Sequence, residues 1–521
     1  LYFGLNAPLQ DVIIAVAPGG ISRTGRCQEA EMKRLWLVLA AFGLIAPFAA
    51  GLYVYESAAL SETIVLRHVA VMDDRHGVFR DDMVVVIAAG RISFLSPDTQ
   101  AIIPEGARVI EGRGRYLIPG LWDMHIHLQG NESFLPLLLA NGVLGVREMG
   151  CTEEQFEIMR RWRTDMERDS MLPLQIRASG PPLDGVRPIP PELRTTVSAP
   201  DEAASAAAHL QSLKVDFFKV HDWISRKTYE ALALEASRRR LVLVGHIPAA
   251  VPALLASRLG QRSVEHNGGI LGSLLLNCSR REGIMRRSLL QAMEEANRTK
   301  QGYAPYLLAM RSKMRRTILD TISEEKTRIL IETFRKNRTW MCPTLIASTP
   351  AIPDSEMSAR MAYVPSSLRK AWESWSTAGF LNPEDIAASR DFSKRMEELL
   401  LRMHTGGIPV LAGTDTTWDE ETPYLVPGFS LHDELRLLVA AGLSPLEALR
   451  SATRNAAEFF GESELWGTVA PGMRADLVLL DADPLEDIGN TQRIAGVFSG
   501  GRFFDREQLH ALLDTVARQN E

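Results

Sequence analysis

The chain has 521 residues, of which 46% are hydrophobic and 23% charged, so it can bury a large apolar core and does not have the composition of a disordered chain. A formal net charge of −6 leaves no electrostatic footprint for nucleic acid. The four cysteines, Cys27, Cys151, Cys278 and Cys342, show neither C-x-x-C nor regular spacing, which argues against a disulfide framework and a thiolate zinc site.

From the N-terminus, residues 1–31 read as a leader upstream of Met32, which directly precedes Lys33 and Arg34 and is the expected start. The next stretch, LWLVLAAFGLIAPFAAGLYVY from Leu35 to Tyr55, has no charged residue and is long enough to span a bilayer. Residues 32–58 are therefore expected to form a membrane anchor or a cleaved signal segment, with the anchor favoured because the apolar run exceeds a usual signal core. The positive charges before it predict a cytoplasmic N-side and an extracytoplasmic body of periplasmic type, membrane-anchored or secreted.

Residues 59–118 hold short runs such as TIVLRHVAVM and DMVVVIAAGRISFLS between Asp, Gly and Pro breaks, the pattern of small β-structure. Residues 462–521 answer it with GTVAPGMRADLVLL and further strand-and-turn sequence before a C-terminal helix. Both are expected to build one small β-sandwich.

Between them, residues 119–461 alternate apolar runs with amphipathic helical stretches, which predicts an α/β fold of (β/α)8 barrel type. The eight runs are LWDMHIHL, GVLGVREMG, LPLQIRASG, VDFFKVHDW, LVLVGHIP, SVEHNGG, TWMCPTLI and IPVLAGTDTT. Long helical insertions lie between His266 and Asp415, where they can screen the active face. No repeat or low-complexity segment is visible.

Barrel enzymes keep their chemistry at the C-terminal ends of the strands. Strand alternation puts His125 and His127 on one face of strand 1, and Lys219, His246, His266 and Asp415 fall near the ends of strands 4, 5, 6 and 8. A lone histidine is more often a hydrogen-bonded rim residue, and Asp415 alone reads as a helix cap. Six such residues at strand ends form a constellation. Four further positions are weaker: Asp123 as a partner of the histidines or a polar barrel residue, His221 and His432 as substrate contacts, and Arg147 with Glu148 as a structural pair.

With PGLWDMHIH, VDFFKVHDW, VGHIP, SVEHNGG, WMCPTL, LAGTD and GTVAPGMRADLVLLDADPLEDI in this order, residues 62–503 resemble the amidohydrolase superfamily in its imidazolonepropionase-like and prolidase-like branch. The resemblance implies a dinuclear metal-dependent hydrolase acting on carbon–nitrogen bonds. One ion would lie on His125, His127 and Asp415 and the other on His246 and His266, with carboxylated Lys219 and a hydroxide bridging the two. Imidazole and carboxylate ligands suit zinc, and a lysine that loses its proton near two dications can add carbon dioxide to become a carbamate. Asp415 would act as the catalytic acid and base.

The expected substrate is small: a dipeptide, an N-acyl amino acid or another peptide-like amide. A cyclic-amide hydrolase or deaminase of the same superfamily is the alternative, and a catalytically silent membrane-tethered scaffold is a third reading. Oligomeric state is not readable from the sequence.

Overall fold

The computed structural model describes residues 63–187, 193–268, 273–299, 313–348, 354–374, 383–420 and 423–521. The leader (1–31) and the anchor or signal segment (32–58) lie outside them. Among the described residues no helix is long and apolar enough to cross a membrane.

The small β-structure joins segments from both sides of the barrel. Strands β1 (Ile64–Asp73), β2 (Val78–Ala88), β3 (Arg91–Pro97), β4 (Arg108–Glu111) and β5 (Tyr116–Pro119) precede the barrel. After it come three more, Leu477–Leu480, Ile494–Ser499 and Arg502–Asp505. All eight make one sheet in which Leu477–Leu480 pairs antiparallel with β5. The expected sandwich is thus a single curled sheet. Its curl follows from two backbone bonds of 2.9 Å, Ile92 N to Met473 O and Ala475 N to Gly90 O, which bring the β3 edge over to the segment leading into Leu477. The curl encloses Ile64, Leu66, Val85, Leu477 and Phe498.

Barrel strands β6 (Leu121–Ile126), β7 (Val143–Glu148) and β8 (Gln175–Ala178) form one parallel group. A second group contains β9 (Leu183–Asp184), β10 (Thr195–Thr196), β11 (Phe218–Val220), β12 (Leu243–Gly245), β13 (Gln261–Glu265) and β14 (Trp340–Cys342). Asp216 N donates to Ala178 O at 2.9 Å, tying the two groups together. Most of these strands are buried on both faces, as parallel strands wrapped by helices must be.

The eighth run differs from expectation. Instead of a full strand it makes two isolated parallel bridges, Met341 with Val410 and Ile126 with Thr416. Its backbone leaves the extended region at Asp415, where φ is 60°. Gly413 explains how it still closes the barrel: a Cβ there would lie 2.6 Å from Cys342 Sγ and 2.7 Å from His125 Cβ. Gly413→Ala is expected to push the eighth segment off strand β6, at a cost of about 1–3 kcal/mol for overpacking. The check is a urea unfolding curve.

After this segment the helix Phe429–Ala440 buries Glu434 completely. One carboxylate oxygen accepts Ile346 N at 2.8 Å, and burial pushes the carboxyl up to about 8. An acid whose pKa is raised on folding binds its proton more tightly in the folded state. Its contribution is complete below the ordinary value of 4.5 and is lost as pH climbs through about 8. Glu434→Gln should remove this loss, so stability of the parent protein should fall relative to the variant by on the order of 3–4 kcal/mol between about pH 5 and pH 8. Thermal melts across that range test it.

Candidate metal centre

Strand β6 delivers the first two histidines. The Nε2 atoms of His125 and His127 lie 3.2 and 3.3 Å from one oxygen of Asp415, and His266 Nδ1 is 3.8 Å from the other. Backbone bonds enforce this meeting: Asp415 N donates to His125 O at 2.7 Å and His127 N to Thr416 O at 2.9 Å. The ring of His246, directly after β12, is 4.9 Å from that of His266. His266 and Asp415 both adopt left-handed backbone, with φ of 52° and 60°. That conformation costs about 1–2 kcal/mol per residue and persists where surrounding structure imposes it.

Lys219, in the middle of β11 and paired with Val244 of β12, is 3% exposed. Burial pushes its pKa down, against the pull of Asp415, Glu265 and Glu148. Burial, with the lysine charge behind it, lowers His125, His221 and His266, whereas Asp415 and Glu148 carry His127 up to about 9 against both. Burial alone would raise Asp415, but the imidazoles of His266 and His125 hold its carboxyl well below the usual carboxylate range. All six residues singled out at the strand ends therefore meet in one buried, electrostatically coupled group.

Partner chemistry fixes the tautomers. His125 Nδ1 is 3.0 Å from Glu265 Oε2, His127 Nδ1 is 3.0 Å from Gly150 O, and His246 Nδ1 is 2.7 Å from Asp222 Oδ2. A carboxylate or a carbonyl only accepts, so each of these Nδ1 atoms donates. His266 Nδ1 faces Thr344 Oγ1 at 2.7 Å, whose hydroxyl already donates to Pro343 O, so it donates too. Four imidazoles are thereby left with a lone pair on Nε2. The Nε2 of His125 is buried without a hydrogen-bond partner among the described residues. The Nε2 atoms of His125 and His127 beside the Asp415 carboxylate, with the opposite ring nitrogens tied down and His266 and His246 adjoining, are a donor set that fits divalent metal ions such as zinc. Two of the three groups of ligand-type atoms found within 4.8 Å of one another lie here, His125/His127/Asp415 and His221/Asp222/His246. In the third, His125/Glu265/Cys342, Glu265 is already engaged by Arg147 and Ser263.

His221 Nδ1 sits between opposite charges, 3.4 Å from Arg187 Nη1, 3.2 Å from Asp222 Oδ2 and 3.6 Å from Asp184 Oδ2, so a donor and two acceptors face the same nitrogen. Its ring is 4.0 Å from that of His246. Burial first, then the nearby charges, keep it neutral, with its pKa well below the usual value.

The structure does not bring His432 to this group. It is fully buried, and both ring nitrogens are engaged, Nδ1 with Thr491 Oγ1 at 2.9 Å and Nε2 with Asn141 O at 3.0 Å. Neither remains for a substrate; the residue joins three segments of the scaffold. Nor do Arg147 and Glu148 pair, because consecutive residues of β7 face opposite ways. Arg147 binds Met124 O at 2.5 Å, Ser263 Oγ at 3.0 Å and Glu265 Oε2 at 2.8 Å, while Glu148 accepts the backbone amides of Leu128 and Gly150. Asp123 supports the site from below: it accepts His125 N at 3.1 Å and both the amide and hydroxyl of Thr414, and burial pushes it up to about 7.

Two residues that hold the histidines were missed by the sequence reading, Glu265 and Asp222. Alternation turns Glu265 away from His266, but the left-handed turn at His266 breaks that alternation and both side chains serve the same group. For Asp222 the available signal was its place directly after His221, one residue beyond the strand.

The Amidohydrolase family matches residues 323–504, which carry strand β14, the eighth segment with Asp415, and the return into the curled sheet. That stretch of the chain is of amidohydrolase type. Ochratoxinase of Aspergillus niger is 35% identical over 103 residues, 19% of this chain; the match spans only about a fifth (20%) of that relative's own length. Two solved structures share the fold over most of the chain. Bottromycin amidohydrolase superposes with a TM-score of 0.64 at 23% identity, covering 88% of this chain and 90% of its own. A Xaa-Pro dipeptidase with methionine in its active site gives 0.59 at 14% identity, covering 85% of this chain and 100% of the dipeptidase.

Proposed function

We propose that this amidohydrolase cleaves an amide bond in a small peptide-like substrate, a dipeptide or an N-acyl amino acid, with two divalent ions, zinc first among them. The observation that carries the reading is the pair His125 and His127 with Nε2 atoms against Asp415, the adjoining rings of His266 and His246, and a buried Lys219. His125, His127 and Asp415 would hold one ion, His246 and His266 the other, and Lys219 as its carbamate would supply the shared anionic ligand. When bound, such ions polarise a carbonyl and bring the pKa of water to about 7.

The chain's own residues then divide the remaining work. An Asp415 carboxylate oxygen accepts the proton of the attacking water and returns it to the leaving nitrogen, for which its depressed pKa keeps it ionised beforehand. The ring of His221, 4.0 Å from that of His246, is placed to hydrogen-bond a substrate. Amide-cleaving relatives in fold, such as the Xaa-Pro dipeptidase, support this substrate class.

Stripping the full chain with a chelator should abolish hydrolysis across a panel of dipeptides and N-acyl amino acids, and zinc or manganese should restore it. An active, metal-free preparation overturns the scheme. A single ion per chain together with release of ammonia from an aminated ring would move the assignment to a deaminase.

The body of the protein is placed outside the cytoplasm, tethered by Leu35–Tyr55, on the strength of Lys33 and Arg34 preceding that apolar stretch. Protease accessibility of the intact cell envelope tests this placement.

A further inference from the structure

Strands β1 and β2 turn Ile64, Leu66, Val85 and Ile87 into the core of the curled sheet, so alternation sends Val65, Val84 and Val86 to its outer side. Paired residues on neighbouring strands share a face. The register runs from Phe94 to Val86, from Val86 to Val65 and from Val65 to Val109, an apolar row across β3, β2, β1 and β4. Ala101 and Ala107 of the loop AIIPEGA pack over the valine cluster in its middle. Its ends stay open: Phe94 is 42% exposed and Val109 51%, while the loop presents Ile102 at 86% and Ile103 at 39%. Scattered apolar residues are ordinary on a surface, but large ones gathered on one face mark a place of contact.

The position of the row identifies what it contacts. Arg108 N donates to Thr63 O at 2.9 Å, so β1 begins beside Val109. Residues 56–62 separate this point from Tyr55, the last residue of the apolar stretch. Seven residues reach at most about 25 Å when fully extended. An anchor at Leu35–Tyr55 would therefore join a bilayer to the start of β1 through seven residues, a tether that points to lipid as the occupant of this face.

We propose that the outer face of this sheet, with Ile102 and Ile103 at its tip and Phe94 and Val109 at its margins, seats the enzyme on the lipid surface. The proposal rests on the anchor reading given above. Insertion of exposed isoleucine and phenylalanine at the headgroup boundary adds a second attachment to the tether and fixes the direction in which the barrel faces.

The test uses the full chain in lipid vesicles, with Cys27→Ser so that only buried native thiols remain. Ile102→Cys carries an environment-sensitive fluorophore, and Leu234→Cys, 51% exposed on the barrel helix Arg226–Arg239, carries the same label as a control. Brominated phospholipid should quench the label at position 102 at least about twofold more than the control, and only in vesicles that float with the protein. Equal quenching in floating vesicles overturns the seating surface and leaves the anchor standing. Failure to float overturns both. A label at 102 that is already shielded without lipid assigns the face to this chain or a second copy and also overturns the proposal.

Discussion

If the proposed two-ion centre is present, replacing Lys219 with methionine should lower the metal content of the purified protein towards one ion or none, with activity falling by about 100-fold or more. Lys219→Met keeps the apolar stem and removes the amine, so no cavity is created to confuse the result. Burial already disfavours the charged amine, and losing it should leave the thermal stability of the stripped protein unchanged or higher. Metal analysis, kinetics and melts of the same samples separate a lost ligand from a lost fold. If Lys219 is merely a core lysine, metal content will not change. An intact-mass measurement showing one added carbon dioxide in the parent and none in the variant would identify the carbamate directly.

Arg147→Met should be among the most destabilising single changes in the barrel. Arg147 is completely buried, bonded to Met124 O, Ser263 and Glu265, and its guanidinium lies 5.1 Å from the centre of the Phe459 ring. Burial alone would raise Glu265, and Arg147 is the foremost influence holding its carboxyl low. Without the arginine, a buried carboxylate is left uncompensated, at a cost of about 3–5 kcal/mol. Glu265 would then take up a proton and cease to be a pure acceptor for His125 Nδ1, so metal affinity should fall as well. The double variant Arg147→Met with Glu265→Gln discriminates the two effects: urea unfolding should recover much of the stability, while metal affinity stays weak. Equal recovery of both would mean that Glu265 does not orient His125.

The strand-end group was legible in the sequence because each of those residues lies near the end of an apolar run, and the location of strand ends survives errors of a residue or two. Supporting residues were harder. Glu265 and Asp222 act only because the chain departs from regular strand geometry beside them, and alternation, the rule used to read faces, fails where the backbone turns left-handed. His432 misled for a related reason: a histidine opening the helix after strand 8 is near the rim in sequence, yet its helix buries it against Thr491 and Asn141. The eighth strand looked regular because IPVLAGTDTT is apolar and β-branched, but Gly413 and Asp415 spend that run on closing the barrel and aiming a carboxylate.

His266 also has a consequence for how such a pocket changes over evolutionary time. Its amide donates to Cys342 O at 3.0 Å, so the chain leaves the site at His266 and returns to the same point at β14. Everything between is a closed excursion with stapled ends. Doubling the length of such an excursion costs only about 0.6 kcal/mol of closure entropy. The segment can lengthen, shorten or exchange helices while the histidines stay in register, so new substrates can be admitted by rewriting the excursion and leaving the reactive centre alone.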